Sequence, residues 1–169
     1  KVVALANRKA DVEGVNVIPY RYLSSQTPGI HPLAQEHEAK VIRGESIALV
    51  CRQLIQQGYS ADVIYVHPGW GEALFLRDLF PSAKIIAYAE YFYRSKGQDV
   101  GFETEFGLLS EVELFRLRMK NTCAFHALDV ADAVYSPSQW QRDTYPDYLQ
   151  DKIHLIHDGM DVAGLQSVN

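Results

Sequence analysis

A chain of 169 residues, 47% hydrophobic and 22% charged, has the size and composition of one globular domain with a substantial core. Its formal net charge of −5, with no Lys/Arg block, excludes the dense basic face that phosphate-backbone recognition requires, so no nucleic acid is expected among its partners. Its two cysteines, Cys51 and Cys123, lie far apart in apolar stretches, which fits reduced, packed thiols and a cytoplasmic setting rather than a disulfide framework.

In chain order, Lys1 leads directly into the apolar run 2–6, read as a strand, and a segment upstream of it is expected. A second strand is predicted over 15–19. The longest helix is predicted over 32–57, where Val41, Ala48, Cys51 and Leu54 or Ile55 recur at helical spacing; Gly58 is its stop and Gly44 a point of weakness or bending. Further strands are predicted over 62–66, 84–89, 133–136 and 152–156, with short helices over 72–79 and 138–144 and a second long helix over 108–128. The strand cores Val63-Ile64-Tyr65-Val66 and Lys84-Ile85-Ile86-Ala87-Tyr88-Ala89 are nearly continuous in apolar character, as in parallel strands covered by helices on both faces. The expected fold is therefore α/β, an open, mostly parallel Rossmann-like sheet. No apolar run reaches the roughly 18 residues needed to cross a bilayer, and the start lacks the pattern of a signal peptide. A soluble cytoplasmic chain is expected, with contact at the surface of an inner membrane left open.

Ligands of such sheets bind beyond the carboxyl ends of the strands, so the loops found there are the places to search. The first, His67-Pro68-Gly69-Trp70-Gly71-Glu72, offers glycines that permit close backbone approach, an indole face for a sugar, and Glu72 for its hydroxyls. Packing of Trp70 and a dipole role for Glu72 are the plainer alternatives. The second, from Glu90 to Asp99, combines Tyr91 and Tyr93 with Glu90, Arg94 and Asp99; rings beside carboxylates suit carbohydrate, while a loop pinned by buried tyrosines and Arg94 accounts for the composition equally well. The third, 102–106, holds Glu105 and reads as an acceptor loop or as the approach to the next helix. On that helix, Glu113, Arg116, Arg118 and Lys120 are assigned to a solvated face in preference to an anionic acceptor or a membrane. His154 and His157 lack the carboxylate of a metal motif, so no metal site is expected; P-loop, dinucleotide and G-x-S-x-G fingerprints are also missing from the sequence.

The segment Ala131-Asp132-Ala133-Val134-Tyr135-Ser136-Pro137-Ser138, followed by Lys152-Ile153-His154-Leu155-Ile156-His157-Asp158-Gly159-Met160-Asp161, resembles a paired signature of family 4 glycosyltransferases, A-D-x-V-x-x-x-S and then K-I-x-V-I-P-N-G-V-D. The H-P-G-W-G-E loop and the E-Y-F-Y stretch with its downstream G-x-D-x-x-F resemble a bacterial subgroup, so the likeness covers about 63–162. The resemblance implies one domain of a two-domain GT-B enzyme. Residues 1–158 would be an incomplete amino-terminal, acceptor-side domain whose first strand lies upstream, and 159–169 the start of a linker to a carboxy-terminal nucleotide-sugar domain.

It also implies a bacterial enzyme of polysaccharide biosynthesis that transfers a sugar with retention from a nucleotide-sugar donor to a hydroxyl of a sugar or glycolipid acceptor, with no cofactor in this part and no activity expected of it alone. Where many relatives carry a histidine after the strand over 84–89, this chain has Glu90, which becomes the catalytic candidate. The acceptor-binding candidates are Trp70, Gly71, Glu72, Tyr91, Tyr93, Asp99 and Glu105. A non-catalytic module that binds a partner or a glycan, or half of a sugar-nucleotide epimerase, are the alternative readings.

Overall fold

The structure is a computed structural model and describes residues 1–98, 100, 109–160 and 162. Strands form where the apolar runs stand: β1 (Val2–Ala6), β2 (Val15–Pro19), β3 (Val63–Val66), β4 (Lys84–Tyr88), β5 (Ala133–Ser136) and β6 (Ile153–Leu155). Every pairing between these strands is parallel, in two groups: β1 with β2, and β3-β4-β5-β6 in sequence order. The result is the α/β, Rossmann-like arrangement that alternating strands and helices predict.

Register aligns Val66, Ala87, Val134 and Ile153 across the four-stranded sheet, and all four are buried. The opposite face is more open: Val63 and Tyr65 are 58% and 60% exposed, and the rings of Tyr65, Tyr88 and Tyr135 gather there, with the Tyr65 and Tyr135 hydroxyls 2.6 Å apart. The core lies on the first face in two clusters. One joins Tyr20, Ile47, Cys51, Val66, Leu76, Phe80 and Ile85; the other joins Ala87, Phe92, Leu128, Val134, Tyr145 and Ile153.

Helix α1 (Gln35–Gln56) packs against α2 (Leu76–Leu79), α3 (Glu111–Lys120) and α4 (Thr122–Val130). The single long helix predicted over 108–128 is thus two. The first opens on a capping box, in which Ser110 Oγ accepts from the Glu113 N–H and Glu113 accepts from the Ser110 N–H. The break falls at Asn121, which is buried and spends its side chain on another segment. The predicted 72–79 helix shortens to α2, because after the 3-10 turn Pro68–Trp70 and Gly71 residues 72–75 form turns. Ser138 caps α5 (Gln139–Asp143) as its sequence position predicts, accepting from the Gln141 N–H at 3.2 Å. A short helix not predicted, α6 (Asp147–Gln150), follows Pro146.

The Asp of the A-D-x-V signature has an architectural role. Asp132 accepts the Ile85 N–H at 2.9 Å, Arg77 Nη2 at 2.5 Å and Lys84 Nζ at 3.0 Å, locking the entry of β5 against β4. The Ile85 amide and the Arg77 and Lys84 cations hold its carboxyl well below the usual carboxylate range.

β1 and β3 each pair on one side only, and a cavity of about 740 Å³ lies between them, lined by both strands and by Ile47, Cys51 and Leu54 of α1. One side-chain bond ties the two sheets: Tyr20, whose N–H donates to Ala6 O at the end of β1, donates from its hydroxyl to Glu72 Oε1 at 2.6 Å. The chain at the carboxyl ends of β1 and β2 is therefore joined to the loop after β3.

Candidate functional site

The loop after β3 begins at His67, whose extended backbone caps the 3-10 turn and whose Nδ1 accepts the Gly69 N–H at 3.2 Å. The turn ends at Gly71 with φ +92°, a left-handed conformation that side chains disfavour. A Cβ on Gly71 would also run into the backbone of Lys40, and one on Gly44 would stand 2.6 Å from the Gly71 carbonyl oxygen. The sequence reading gave Gly44 the role of a weak point in α1; its structural role is instead to let the helix meet this loop backbone to backbone. The close approach brings Arg43 over the Trp70 ring, 5.3 Å from its centroid.

The loop after β4 alternates inward and outward. Phe92 is buried, its N–H donating to Thr144 Oγ1 at 2.9 Å, and Arg94 Nε and Nη2 donate to the carbonyls of Thr144 and Tyr145 at 2.6 and 2.5 Å. Among the described residues Arg94 is thus a structural pin bound to carbonyls. Tyr91 and Tyr93 stack edge to face at 5.3 Å, and Trp140 lies 5.6 Å from Tyr91. Asn121 grips this wall from the helix break: its Oδ1 accepts the Tyr93 N–H at 2.9 Å and its Nδ2 donates to the Tyr93 carbonyl at 2.8 Å.

The two loops meet where His67 Nε2 stands 2.9 Å from Glu90 Oε2. Because the Gly69 N–H donates to Nδ1, the ring proton belongs on Nε2, and His67 donates to the Glu90 carboxylate. That bond uses part of the acceptor capacity of one oxygen and leaves the rest of the half-exposed carboxylate for an incoming hydroxyl.

These groups line a cavity of about 320 Å³. Its walls are Glu36, Lys40 and Arg43 from α1, His67 and Trp70 from the first loop, Glu90, Tyr91 and Tyr93 from the second, and Lys120, Asn121 and Ala124 at the α3–α4 junction. Four residues expected at a site, Trp70, Glu90, Tyr91 and Tyr93, are therefore brought together. Gly71 stands behind the wall as a spacer. Glu72 lies elsewhere, bonded to Tyr20 and lining the cavity between β1 and β3; burial and the Glu72 carboxylate push the Tyr20 hydroxyl up. Asp99, Glu105 and the 102–106 stretch lie outside the described residues.

Sequence reasoning missed His67, Lys40, Arg43 and Asn121 as members of the site, and it assigned Lys120 to solvent. His67 was signalled by its place at the end of a strand, and Lys40 and Arg43 by their three-residue spacing on one helix face; their meeting with loops and a helix junction far along the chain was not. Among the described residues, no three His, Cys, Asp or Glu side chains converge as metal ligands, and no helix is long and apolar enough to cross a membrane.

Aromatic faces, a hydrogen-bonded carboxylate and several cations in one cleft at strand carboxyl ends form a surface for a polar, ring-shaped ligand. Residues 1–165 match the sequence profile of the glycosyl transferase family 4 group. No curated protein matches the chain.

Proposed function

Because the chain belongs to the glycosyl transferase family 4 group, we propose that it is the acceptor-side domain of a retaining glycosyltransferase and that the His67–Glu90 cleft holds the acceptor. The observation that carries this reading is the Glu90 carboxylate, oriented by His67 and flanked by Trp70 and Tyr91 at the ends of two adjacent parallel strands.

In the proposed reaction an acceptor sugar stacks on Trp70 or on the Tyr91–Tyr93 wall, and its reacting hydroxyl donates to Glu90. The hydroxyl oxygen forms a bond to the anomeric carbon of a nucleotide sugar as the bond from that carbon to the diphosphate breaks on the same face. As the diphosphate departs, the hydroxyl proton shifts from its hydrogen bond with Glu90 to a departing phosphate oxygen and leaves with the diphosphate. Glu90 positions the oxygen and stabilises the charge that builds on it, and His67 holds Glu90 in place; neither forms a covalent intermediate. The nucleotide sugar itself would be held by a second domain joined through a linker beginning near Gly159. Support for the first domain being larger than 1–158 comes from the cavity lined by β1 and β3, each of which has one unpaired edge among the described residues. A bacterial, cytoplasmic role in polysaccharide synthesis fits the reading.

Glu90→Gln keeps the shape and removes the charge, and loss of one such positioned contact lowers turnover by roughly 100-fold or more. Trp70→Ala is expected mainly to raise KM for the acceptor. Both are measured as sugar transfer by the full-length polypeptide across a panel of hydroxyl acceptors. Unchanged turnover and KM in both variants would remove these residues from the site.

A further inference from the structure

Positive charge in this cleft exceeds what the described residues neutralise. Lys40 is paired with Glu36 at 3.1 Å and donates to the Lys120 carbonyl at 2.9 Å. Arg43 and Lys120 have no carboxylate partner among the described residues. Arg43 donates from Nη2 to the Tyr22 hydroxyl at 3.1 Å and otherwise lies against the rings of Tyr22 and Trp70, at 5.6 and 5.3 Å. Its Nε is buried with no hydrogen-bond partner. The Lys120 ammonium stands over the Tyr93 ring at 4.7 Å.

A buried N–H without an acceptor is uncommon because its lost hydration has no compensation, and it leaves Arg43 with hydrogen-bonding capacity that the described residues do not fill. A guanidinium held between two aromatic faces is also pre-set in orientation, so little side-chain freedom is lost when an oxyanion docks. The negative charge in the cleft is distributed to complement this. Glu36 is taken by Lys40, and Glu90 sits on the strand-loop side against His67, whereas Arg43 and Lys120 belong to α1 and to the end of α3. A ligand with an oxyanion on the helix side and a hydroxyl on the strand side satisfies both ends, while an anion at Glu90 would be repelled.

We propose that the acceptor carries an acidic group, a carboxylate or a phosphate monoester, held between Arg43 and Lys120 while its hydroxyl is presented to Glu90. The identification rests on the reading of this cleft as the acceptor site.

The full-length polypeptide is titrated calorimetrically with glucose, glucuronate and glucose 6-phosphate at low and at high salt. At low salt at least one acidic sugar is expected to bind on the order of tenfold or more tighter than glucose, and salt should erode that margin. Preference for glucuronate alone identifies a carboxylate, preference for glucose 6-phosphate alone a phosphate, and preference for both any acidic group. Arg43→Gln and Lys120→Gln should each reduce the margin between the acidic sugars and glucose, and Arg43→Lys should retain part of it. Circular dichroism checks folding; if Arg43→Gln unfolds, Lys120→Gln and Arg43→Lys decide.

Equal binding of all three sugars, or a margin that survives both glutamine variants, overturns the proposal. Failure of the acceptor reading looks different: Glu90→Gln and Trp70→Ala would leave transfer untouched while the acid preference still depended on Arg43 and Lys120. Conversely, loss of transfer in those variants without any acid preference would keep the acceptor cleft and remove the anion site.

Discussion

Asp132 and Asn121 contribute in ways their residue types alone do not reveal. The Asp132 carboxyl is held below its ordinary pKa by the Ile85 amide, Arg77 and Lys84. A depressed folded pKa means that its stabilisation is fully present above the unfolded value, about 3.9, and is lost only as pH falls through the lower folded value. Asp132→Asn is therefore expected to melt below the wild type at pH 7, with the gap closing in strongly acidic solution; a gap that does not depend on pH in thermal melts would contradict this. Asn121 is buried and pairs both polar atoms of its amide with the Tyr93 backbone. Asn121→Ala leaves that N–H and carbonyl without partners and should cost about 1–3 kcal/mol in urea unfolding. Because the same bonds hold the Tyr91–Tyr93 wall, acceptor affinity should fall with it. The pairing of His67 with Glu90 is of the same kind: two side chains 23 residues apart acquire a joint role only through the register of neighbouring strands.

The elements that matter most for the site are α1 and the turn after β3, and their contact depends on two residues without side chains. Gly44 and Gly71 meet backbone to backbone, and Arg43 reaches Trp70 because they do. Gly44→Ala places a methyl group 2.6 Å from the Gly71 carbonyl oxygen, where only a shift of backbone can relieve it. The gain in helix propensity, about 1 kcal/mol, is expected to be outweighed by overpacking of about 1–3 kcal/mol. The Arg43–Trp70 contact should open as well, visible as a red shift of Trp70 fluorescence; an unchanged spectrum and a raised melting temperature would show that the contact tolerates a side chain. Helix periodicity also misled over 108–128. Asn121 has an adequate helical propensity, and only its distant partner shows that the helix is interrupted there.

For the molecule as a whole, the two groups of strands share no ladder among the described residues. β1 and β3 each leave one edge unpaired beside a shared cavity, and exposed strand edges are a liability that proteins ordinarily cover. If an additional parallel strand seats there, a polypeptide extended upstream of Lys1 should show amide exchange in β1 and β3 slowed by about tenfold or more, equivalent to about 1.4 kcal/mol. Equal exchange rates in the shorter and longer chains would count against it. Such a strand would also stiffen the connection from Tyr20 to Glu72 and, through Gly71, the wall of the His67–Glu90 cleft.

Strand positions, the parallel α/β class and the Ser138 cap were legible in the sequence because each depends on local chemistry: apolar runs, turn residues and a hydroxyl next to unpaired amides. The family was legible because its signature stands in the sequence itself, and one residue of it, Asp132, ties β5 to β4. Of the candidate site, the sequence pointed to Trp70, Glu90, Tyr91 and Tyr93, which follow strands directly. It did not indicate that Glu72 turns to Tyr20, that His67 orients Glu90, or that Arg43 and Lys120 border the same cleft. Those outcomes are matters of distance between residues far apart in the chain, decided by the register of β3 against β4 and by how closely α1 can approach the turn after β3.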